Sequence, residues 1–105
     1  MSINWICKHH TELSAQQLYA ILRLRAEVFV VEQQCVYLDV DGKDLLGDTC
    51  HLMAWQEQQL VAYLRLLDPV QQDGNVVIGR VVTAPSAGGQ GIGHKLMVQA
   101  LDHAG

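Results

Sequence analysis

The strongest constraint on the fold is a β-branched segment that leads through a glycine-rich loop into a helix. Residues 76–83 are β-branched at nearly every position, which predicts a buried strand, and Gly79 inside this run indicates a bulge or a close backbone approach. Four of the six residues 88–93 are glycine, and apolar residues then recur at helical spacing over residues 94–104. A strand that turns directly into a helix is typical of folds that mix the two kinds of element.

The glycine loop is suited to holding the phosphates of a nucleotide-type cofactor. Glycine lets backbone N–H groups turn toward a ligand, and the first N–H groups of a helix have no partner inside the helix. Together with the helix dipole, these groups favour a bound anion such as a pyrophosphate. The alternative is a tight turn that packs the helix against the strand. Two familiar phosphate loops are excluded, because His94 stands where the P-loop requires lysine and where the dinucleotide fingerprint requires glycine.

The first half of the chain predicts a short strand, a helix and an irregular segment. Residues 3–8 alternate roughly between apolar and polar side chains, as in a strand. Ser14 and Gln17 have the spacing of a capping box, and the apolar residues after them recur at three- and four-residue steps to about Val31, which predicts an amphipathic helix. Residues 33–48 contain the aspartates and glycines that are typical of turns.

Two more strands are predicted over residues 51–56 and 60–67. Residues 57–59 separate them, which suits a hairpin, and the second run is apolar on both faces, which predicts a central strand. The order of elements predicts an α/β (α+β) fold with a mixed, mainly antiparallel sheet and flanking helices. Because a strand followed by a helix normally leads into a further strand, we expect an architecture that is cut short.

Length and composition predict one domain, residues 1–105, of an ordinary globular kind. The net charge is −4 and the acidic residues are spread along the chain, which argues against nucleic acid as a partner. No run of 18 apolar residues and no secretory leader is seen, so we expect neither a membrane span nor export. Three cysteines without CxxC spacing predict free thiols and a cytoplasmic location.

No metal site is predicted. An EF-hand loop that began at the acidic run 39–44 would need glycine at Asp44 and glutamate at Cys50, so this run is expected to form a turn or a substrate-facing acidic loop. His9 and His10 point to opposite faces if they lie in a strand, and no Cys/His quartet is present for structural zinc.

Two arginines, Arg25 and Arg80, stand within otherwise apolar patterns. Each either pairs with a carboxylate of the protein, such as Glu32 or Asp41, or holds a carboxylate of a substrate. Both are therefore candidate substrate-binding residues.

The strand and the glycine loop together resemble the acetyl-CoA-binding region of the GNAT N-acetyltransferase superfamily. The family motif is (Arg/Gln)-x-x-Gly-x-(Gly/Ala), and Gly91 and Gly93 match its two small positions. Gly88 stands where the family has Arg or Gln, which implies a weaker hold on the pyrophosphate, with partial compensation from His94 or Lys95.

The first half of the chain is similar to the ElaA-type branch of this superfamily. The matching positions are residues 14–25 and 28–33, Tyr37, Asp39, Asp41, Gly42, Asp44 and His51. With the loop, the resemblance covers nearly all of the 105 residues.

The resemblance implies a cleft between two splayed strands into which acetyl-CoA enters. The implied cofactor-binding residues are Val81, Val82, Thr83, Gly88, Gly89, Gln90, Gly91, Ile92, Gly93 and His94. The backbone of residues 81–83 is implied to pair with the pantetheine arm. Transfer is implied to be direct, with Glu32 as the candidate general base, and the alternative for Glu32 is a surface carboxylate at a helix end.

Members of the superfamily continue past the glycine-loop helix into another strand, a further helix and two more strands. Those segments supply the other wall of the cofactor cleft and a tyrosine that acts as general acid. The resemblance therefore implies that this chain corresponds to the first two-thirds of an acetyltransferase domain.

Two functions are consistent with these patterns. The first is an acetyl-CoA-dependent N-acetyltransferase that acts on a primary amine of a small molecule or peptide. The second is a catalytically incomplete remnant that binds CoA or associates with itself, because a missing neighbour leaves residues 76–83 as an open sheet edge through which a homodimer is expected.

Overall fold

A single antiparallel sheet is the centre of the fold. The computed structural model describes residues 3–69, 77–87 and 91–104, and within them four strands pair in the order β1-β2-β3-β4. The strands are β1 (Asn4–His9), β2 (Cys50–Gln56), β3 (Gln59–Leu66) and β4 (Ile78–Thr83). The helical elements are α1 (Ala15–Arg25), a π-helical continuation (Ala26–Glu32), α2 (Ile92–Ala104) and the short 3₁₀ turns His10–Glu12 and Pro85–Ala87. The predicted mixed fold with a mainly antiparallel sheet is confirmed.

β3 is the central strand, as its two apolar faces predict. It pairs with β2 on one side and β4 on the other, and all of its residues after Gln59 are buried. Side chains alternate between the two faces of a strand. The face with Arg65 is covered by α1, whose Arg25 shares the carboxylate of Asp44 with Arg65. On the opposite face α2 packs against β3 and β4.

The β2–β3 hairpin has a tighter turn than the sequence predicts. Glu57 and Gln58 form the turn, with Glu57 at a φ of +58°, and Gln59 already pairs with Gln56. The predicted loop of residues 57–59 is therefore one residue too long.

The predicted capping box at the start of α1 is confirmed. The Ser14 hydroxyl accepts a hydrogen bond from the backbone N–H of Gln17 at 3.0 Å, and the Gln17 side chain accepts one from the backbone N–H of Ser14 at 3.0 Å. Two N–H groups at the helix start thereby gain partners.

The α-helical geometry ends at Arg25, six residues before the predicted end at Val31. Residues 26–32 continue as a π-helix, in which the N–H of Gln33 donates to the carbonyl of Val28 at 2.8 Å. This segment contains three valines, whose branched side chains crowd the preceding turn of an α-helix. The helical path therefore reaches Glu32, but with wider turns than an α-helix.

β4 is an edge strand of the described sheet, so the prediction of a buried strand is wrong for its exposed side. Val82 is 4% exposed but Val81 is 42% exposed. The β-branched residues therefore reflect β-propensity rather than burial on both faces. Val76 lies outside the described residues.

The bulge indicated by Gly79 is present one residue further on. Leu64 of β3 lies opposite both Arg80 and Val81, because Tyr63 pairs with Val82 and Arg65 pairs with Gly79. Arg80 has a φ of +53°. That conformation costs a residue with a Cβ about 1–2 kcal/mol.

The core joins both helices to the sheet. From α1 it takes Ile21 and Leu24, from α2 Leu96 and Ala100, and from β3 all residues after Gln59 except Arg65. In the described part of the chain, no helix has the length and apolar character needed to cross a membrane.

Candidate functional site

Within the described sheet, the backbone groups of Thr83 on the outer edge of β4 have no strand partner. The N–H of Ala84 donates to the carbonyl of Val61 at 2.8 Å, so Ala84 and Val61 form a hydrogen-bonded pair. Thr83 and Ala62, the next pair, are then a non-hydrogen-bonded pair. The N–H and carbonyl of Thr83 consequently point away from β3, toward the open side of the sheet.

The start of α2 lies directly beside this edge. Gly91 has a φ of +70°, a conformation that favours glycine, and a Cβ at this position would meet no described atom within 4 Å. A Cβ built on Gly93 would lie 3.9 Å from Cγ2 of Thr83, which places the first turn of α2 against β4. Ile92 is buried, whereas His94 is exposed.

Among the described residues, the N–H groups of the first turn of α2 and the outward-facing backbone groups of β4 lie side by side and form one surface with hydrogen-bonding groups. This surface fits an extended ligand that ends in a phosphate, since the edge offers strand-like hydrogen bonds and the helix start offers an anion site. The predicted loop residues Gly88, Gly89 and Gln90 lie outside the described residues.

A largely buried arginine–aspartate cluster lies next to β4, on the face of the sheet that α1 covers. Its members are Arg25, Arg65, Arg80, Asp39, Asp41 and Asp44. Three cations face three anions, so the cluster carries no net charge.

Arg25 occupies the fully enclosed end of this cluster. Its Nη1 lies 2.6 Å from Oδ1 of Asp44 and its Nε lies 3.1 Å from Oδ2 of Asp39, and the side chain has no exposed surface. The carboxylate partners of Arg25 are thus Asp39 and Asp44, and not Glu32 or Asp41, the two examples predicted from the sequence.

Arg80 and Arg65 complete the cluster from β4 and β3. Nε of Arg80 lies 2.9 Å from Oδ1 of Asp39, and its Nη2 lies 3.3 Å from Oδ2 of Asp41. Nη2 of Arg65 lies 2.6 Å from the same Oδ2 of Asp41, and its Nη1 lies 3.0 Å from Oδ1 of Asp44. The hydrogen bond from Arg65 holds the pKa of the Asp41 carboxyl well below its usual range.

Arg65 is a member that sequence reasoning missed. Its signal was an arginine inside a strand that is otherwise apolar on both faces, because a buried arginine requires a carboxylate partner. The same reasoning applied to Arg65 would have directed attention to the aspartates of residues 39–44.

A second buried polar pair, His51 and Tyr63, adjoins the cluster. Nε2 of His51 lies 2.8 Å from the carbonyl of Asp44, which requires Nε2 to carry the proton and donate. Nδ1 therefore accepts from the Tyr63 hydroxyl at 2.6 Å. Burial lowers the pKa of the imidazole and raises that of the phenol, so both groups are neutral near pH 7.

Comparison with known protein families identifies the fold. The sequence profile described as "Acetyltransferase (GNAT) family" matches residues 12–105. This chain belongs to the GNAT acetyltransferase family. The predicted family resemblance is confirmed, including its ElaA-like character.

Among similar proteins, the chain is 48% identical over 100 residues to the protein ElaA of Escherichia coli, which covers 95% of this chain and 65% of that protein. The chain therefore spans about two-thirds of the length of the curated relatives it matches. A crystal structure of an acyl-CoA N-acyltransferase from Pseudomonas aeruginosa is 63% identical with a TM-score of 0.94, covering 98% of this chain and 70% of that one. The crystal structure of Escherichia coli ElaA is 47% identical with a TM-score of 0.93, covering 98% of this chain and 70% of that one.

Glu32 is the remaining predicted site residue of this GNAT domain. It is the last residue of the π-helical segment and its side chain is exposed. Within the described residues, no hydrogen bond or ion pair of the Glu32 side chain is found. Its role as general base stays a prediction.

Proposed function

We propose that this chain forms the acyl-CoA-binding part of an N-acetyltransferase that transfers an acetyl group from acetyl-CoA to a primary amine of a small molecule or peptide. The observation that carries the proposal is the outward-facing backbone of Thr83 directly beside the start of α2. Membership of the GNAT family supports an acyl-CoA as the ligand class.

The residues that bind acetyl-CoA divide into two groups. The backbone of Val81, Val82 and Thr83 pairs with the pantetheine arm along the open edge of β4. The loop residues Gly88, Gly89, Gln90, Gly91 and Gly93, with Ile92 and His94 at the start of α2, hold the pyrophosphate through backbone N–H groups. The bound cofactor supplies the activated acetyl group, and the chain orients it.

Glu32 acts in this proposal as the proton acceptor. An amine attacks a thioester only in its neutral form, and an exposed carboxylate near the acceptor takes the proton directly or through a water molecule. Transfer is direct, so no nucleophilic side chain is required.

In this proposal, Arg25 and Arg80 bind carboxylates of the protein and not a carboxylate of the substrate. Each guanidinium already has two aspartate partners in a neutral cluster. A substrate carboxylate would add an uncompensated negative charge there, which is costly in a buried place.

We place the protein in the cytoplasm, in keeping with the three free thiols Cys7, Cys35 and Cys50.

Titration of the 105-residue chain with acetyl-CoA tests the proposal. Binding raises the melting temperature by mass action, and acetyl-CoA at a hundredfold excess over Kd stabilises by about 2.7 kcal/mol. His94→Glu places a negative charge at the start of α2 and is expected to weaken binding about tenfold. Gln99→Glu adds the same charge in the middle of α2 and serves as the control.

Two results would overturn the proposal for this chain. One is the absence of any stabilisation by millimolar acetyl-CoA. The other is an equal loss of affinity in the His94→Glu and Gln99→Glu variants, which would place the phosphates elsewhere.

A second function, self-association, is favoured by the same edge. β4 ends the described sheet, and Val81 on it is 42% exposed. Two copies that pair their β4 strands about a twofold axis would cover both edges. Light scattering that shows a monomer at high protein concentration would contradict this homodimer.

A further inference from the structure

Arg80 holds an unfavourable backbone conformation in the middle of β4. Its φ of +53° is a region that residues with a Cβ seldom occupy. Arg80 and Val81 together face Leu64, so β4 contains one more residue than β3 over this stretch. Such a conformation persists only where the surroundings hold it in place.

The side chain of Arg80 makes the contacts that keep this backbone conformation in place. Its Nη2 donates to the carbonyls of Asp39 at 3.1 Å and Leu38 at 3.3 Å, and its Nε lies 2.9 Å from the Asp39 carboxylate. The guanidinium also lies over the ring of Tyr37, 4.7 Å from its centre. Three kinds of contact therefore fix Arg80 to residues 37–41, on the side of the sheet that α1 covers.

The extra residue sets which groups of β4 face outward. Gly79 pairs with Arg65, so a strand without the bulge would pair Val81 with Tyr63 and bring Thr83 opposite Val61. Val81 would then take the buried place of Val82, since a slip of one residue exchanges the two faces. The N–H and carbonyl of Thr83 would turn toward β3 and leave the open edge.

We propose that Arg80 is a positioning residue for acyl-CoA. Its contacts with residues 37–41 keep the bulge in place, and the bulge turns the backbone of Thr83 toward the ligand. Arg80 acts through the backbone of its own strand and does not touch the cofactor. This inference rests on the proposed binding of acyl-CoA along β4.

Three substitutions of Arg80 separate the contacts of its side chain from the positive φ of its backbone. Arg80→Ala removes the contacts and retains a Cβ, so the positive φ loses its support. Arg80→Gly removes the same contacts but adopts a positive φ readily. Arg80→Lys keeps the charge without the planar fork. Arg23→Ala, an exposed arginine on α1, is the control for the loss of one charge.

Two measurements are made on the 105-residue chain, well below the melting temperature of every variant. Calorimetric titration gives the Kd for acetyl-CoA, and the strength of the intraresidue HN–Hα cross-peak at residue 80 in NMR reports a positive φ. We expect Arg80→Ala to weaken binding about tenfold or more and to lose the strong cross-peak. We expect Arg80→Gly to recover about threefold in affinity, and Arg23→Ala to bind as the wild type does.

The outcomes distinguish this inference from the proposed function. A folded Arg80→Ala that binds acetyl-CoA like the wild type overturns the positioning role, as does an equal loss in the alanine and glycine variants. If the wild type binds no acetyl-CoA, the proposed function fails, and the cross-peaks alone decide whether Arg80 holds the bulge. If Arg80→Ala does not fold, the glycine and lysine variants are compared, and a glycine variant that binds acetyl-CoA no better than the lysine variant overturns the inference.

Discussion

Replacement of Arg25 by methionine tests the arginine–aspartate cluster, because methionine keeps much of the side-chain volume and removes the charge. Arg25 has no exposed surface, and its donors meet Asp39 and Asp44. Without it, two buried carboxylates lose a cation. Removal of one partner from a buried ion pair costs about 3–5 kcal/mol. Since small domains are stable by about 5–15 kcal/mol, Arg25→Met is expected to lose a large fraction of its stability.

Urea unfolding, followed by circular dichroism and by tryptophan fluorescence, measures this loss. With a slope of about 2 kcal/mol/M, the midpoint of Arg25→Met is expected to fall by about 2 M. Arg25→Lys keeps the charge but offers no planar fork to two carboxylates, so its midpoint is expected to lie between those of the wild type and the methionine variant. Arg23→Met, at an exposed position on α1, is the control and is expected to change stability by less than about 0.5 kcal/mol.

A second substitution identifies the source of the loss. Arg25→Met combined with Asp44→Asn removes one of the stranded charges, so part of the lost stability is expected to return. The reasoning is refuted if Arg25→Met unfolds at the same urea concentration as Arg23→Met. It is also refuted if the added Asp44→Asn change lowers stability by as much as it does in the wild-type background.

Three further predictions follow from single features. Burial places the pKa of His51 below its ordinary value of 6.5, so the contribution of neutral His51 to stability is fully present above about pH 6.5 and is lost as the pH falls below it. Thermal melts from pH 7.5 to 5 are expected to show a falling melting temperature in the wild type and a smaller fall in His51→Gln. Ser14→Ala removes the cap of α1 and is expected to cost about 1 kcal/mol in urea unfolding, and an unchanged midpoint would mean that the cap contributes nothing. Val81→Lys places a charge on the open edge of β4 and is expected to yield a monomer in light scattering, so a dimer that persists would be held by another surface.

Elements that local chemistry determines could be predicted from the sequence. The Ser14 and Gln17 side chains satisfy N–H groups within three residues of themselves, so their spacing alone is informative. The same holds for β3, whose two apolar faces predict a strand with neighbours on both sides.

Features that depend on distant contacts could not be predicted in the same way. The partners of Arg80 lie about 40 positions away in the chain, in a segment whose path no helix or strand propensity defines. The exposure of Val81 depends on the absence of a strand beside β4 in the described sheet, and β-propensity alone does not distinguish an edge strand from a central one. The sequence therefore predicted the candidate arginines and Asp41 as a partner, which Arg80 meets, but not Asp39 and Asp44.

Because residues 26–32 form a π-helix, the direction of the Glu32 side chain depends on the number of residues between Arg25 and Glu32. In an α-helix each residue adds about 100° of rotation and 1.5 Å of rise. Deletion of a single residue from Ala26–Glu32 would let the hydrogen bonds return to the α-helical pattern, with Ile21 and Leu24 still anchored in the core. The carboxylate of Glu32 would then point in a different direction from the helix axis, although every side chain of the proposed site would still be present. A homologue one residue shorter in this segment is therefore expected to present the proposed general base from another position in the chain.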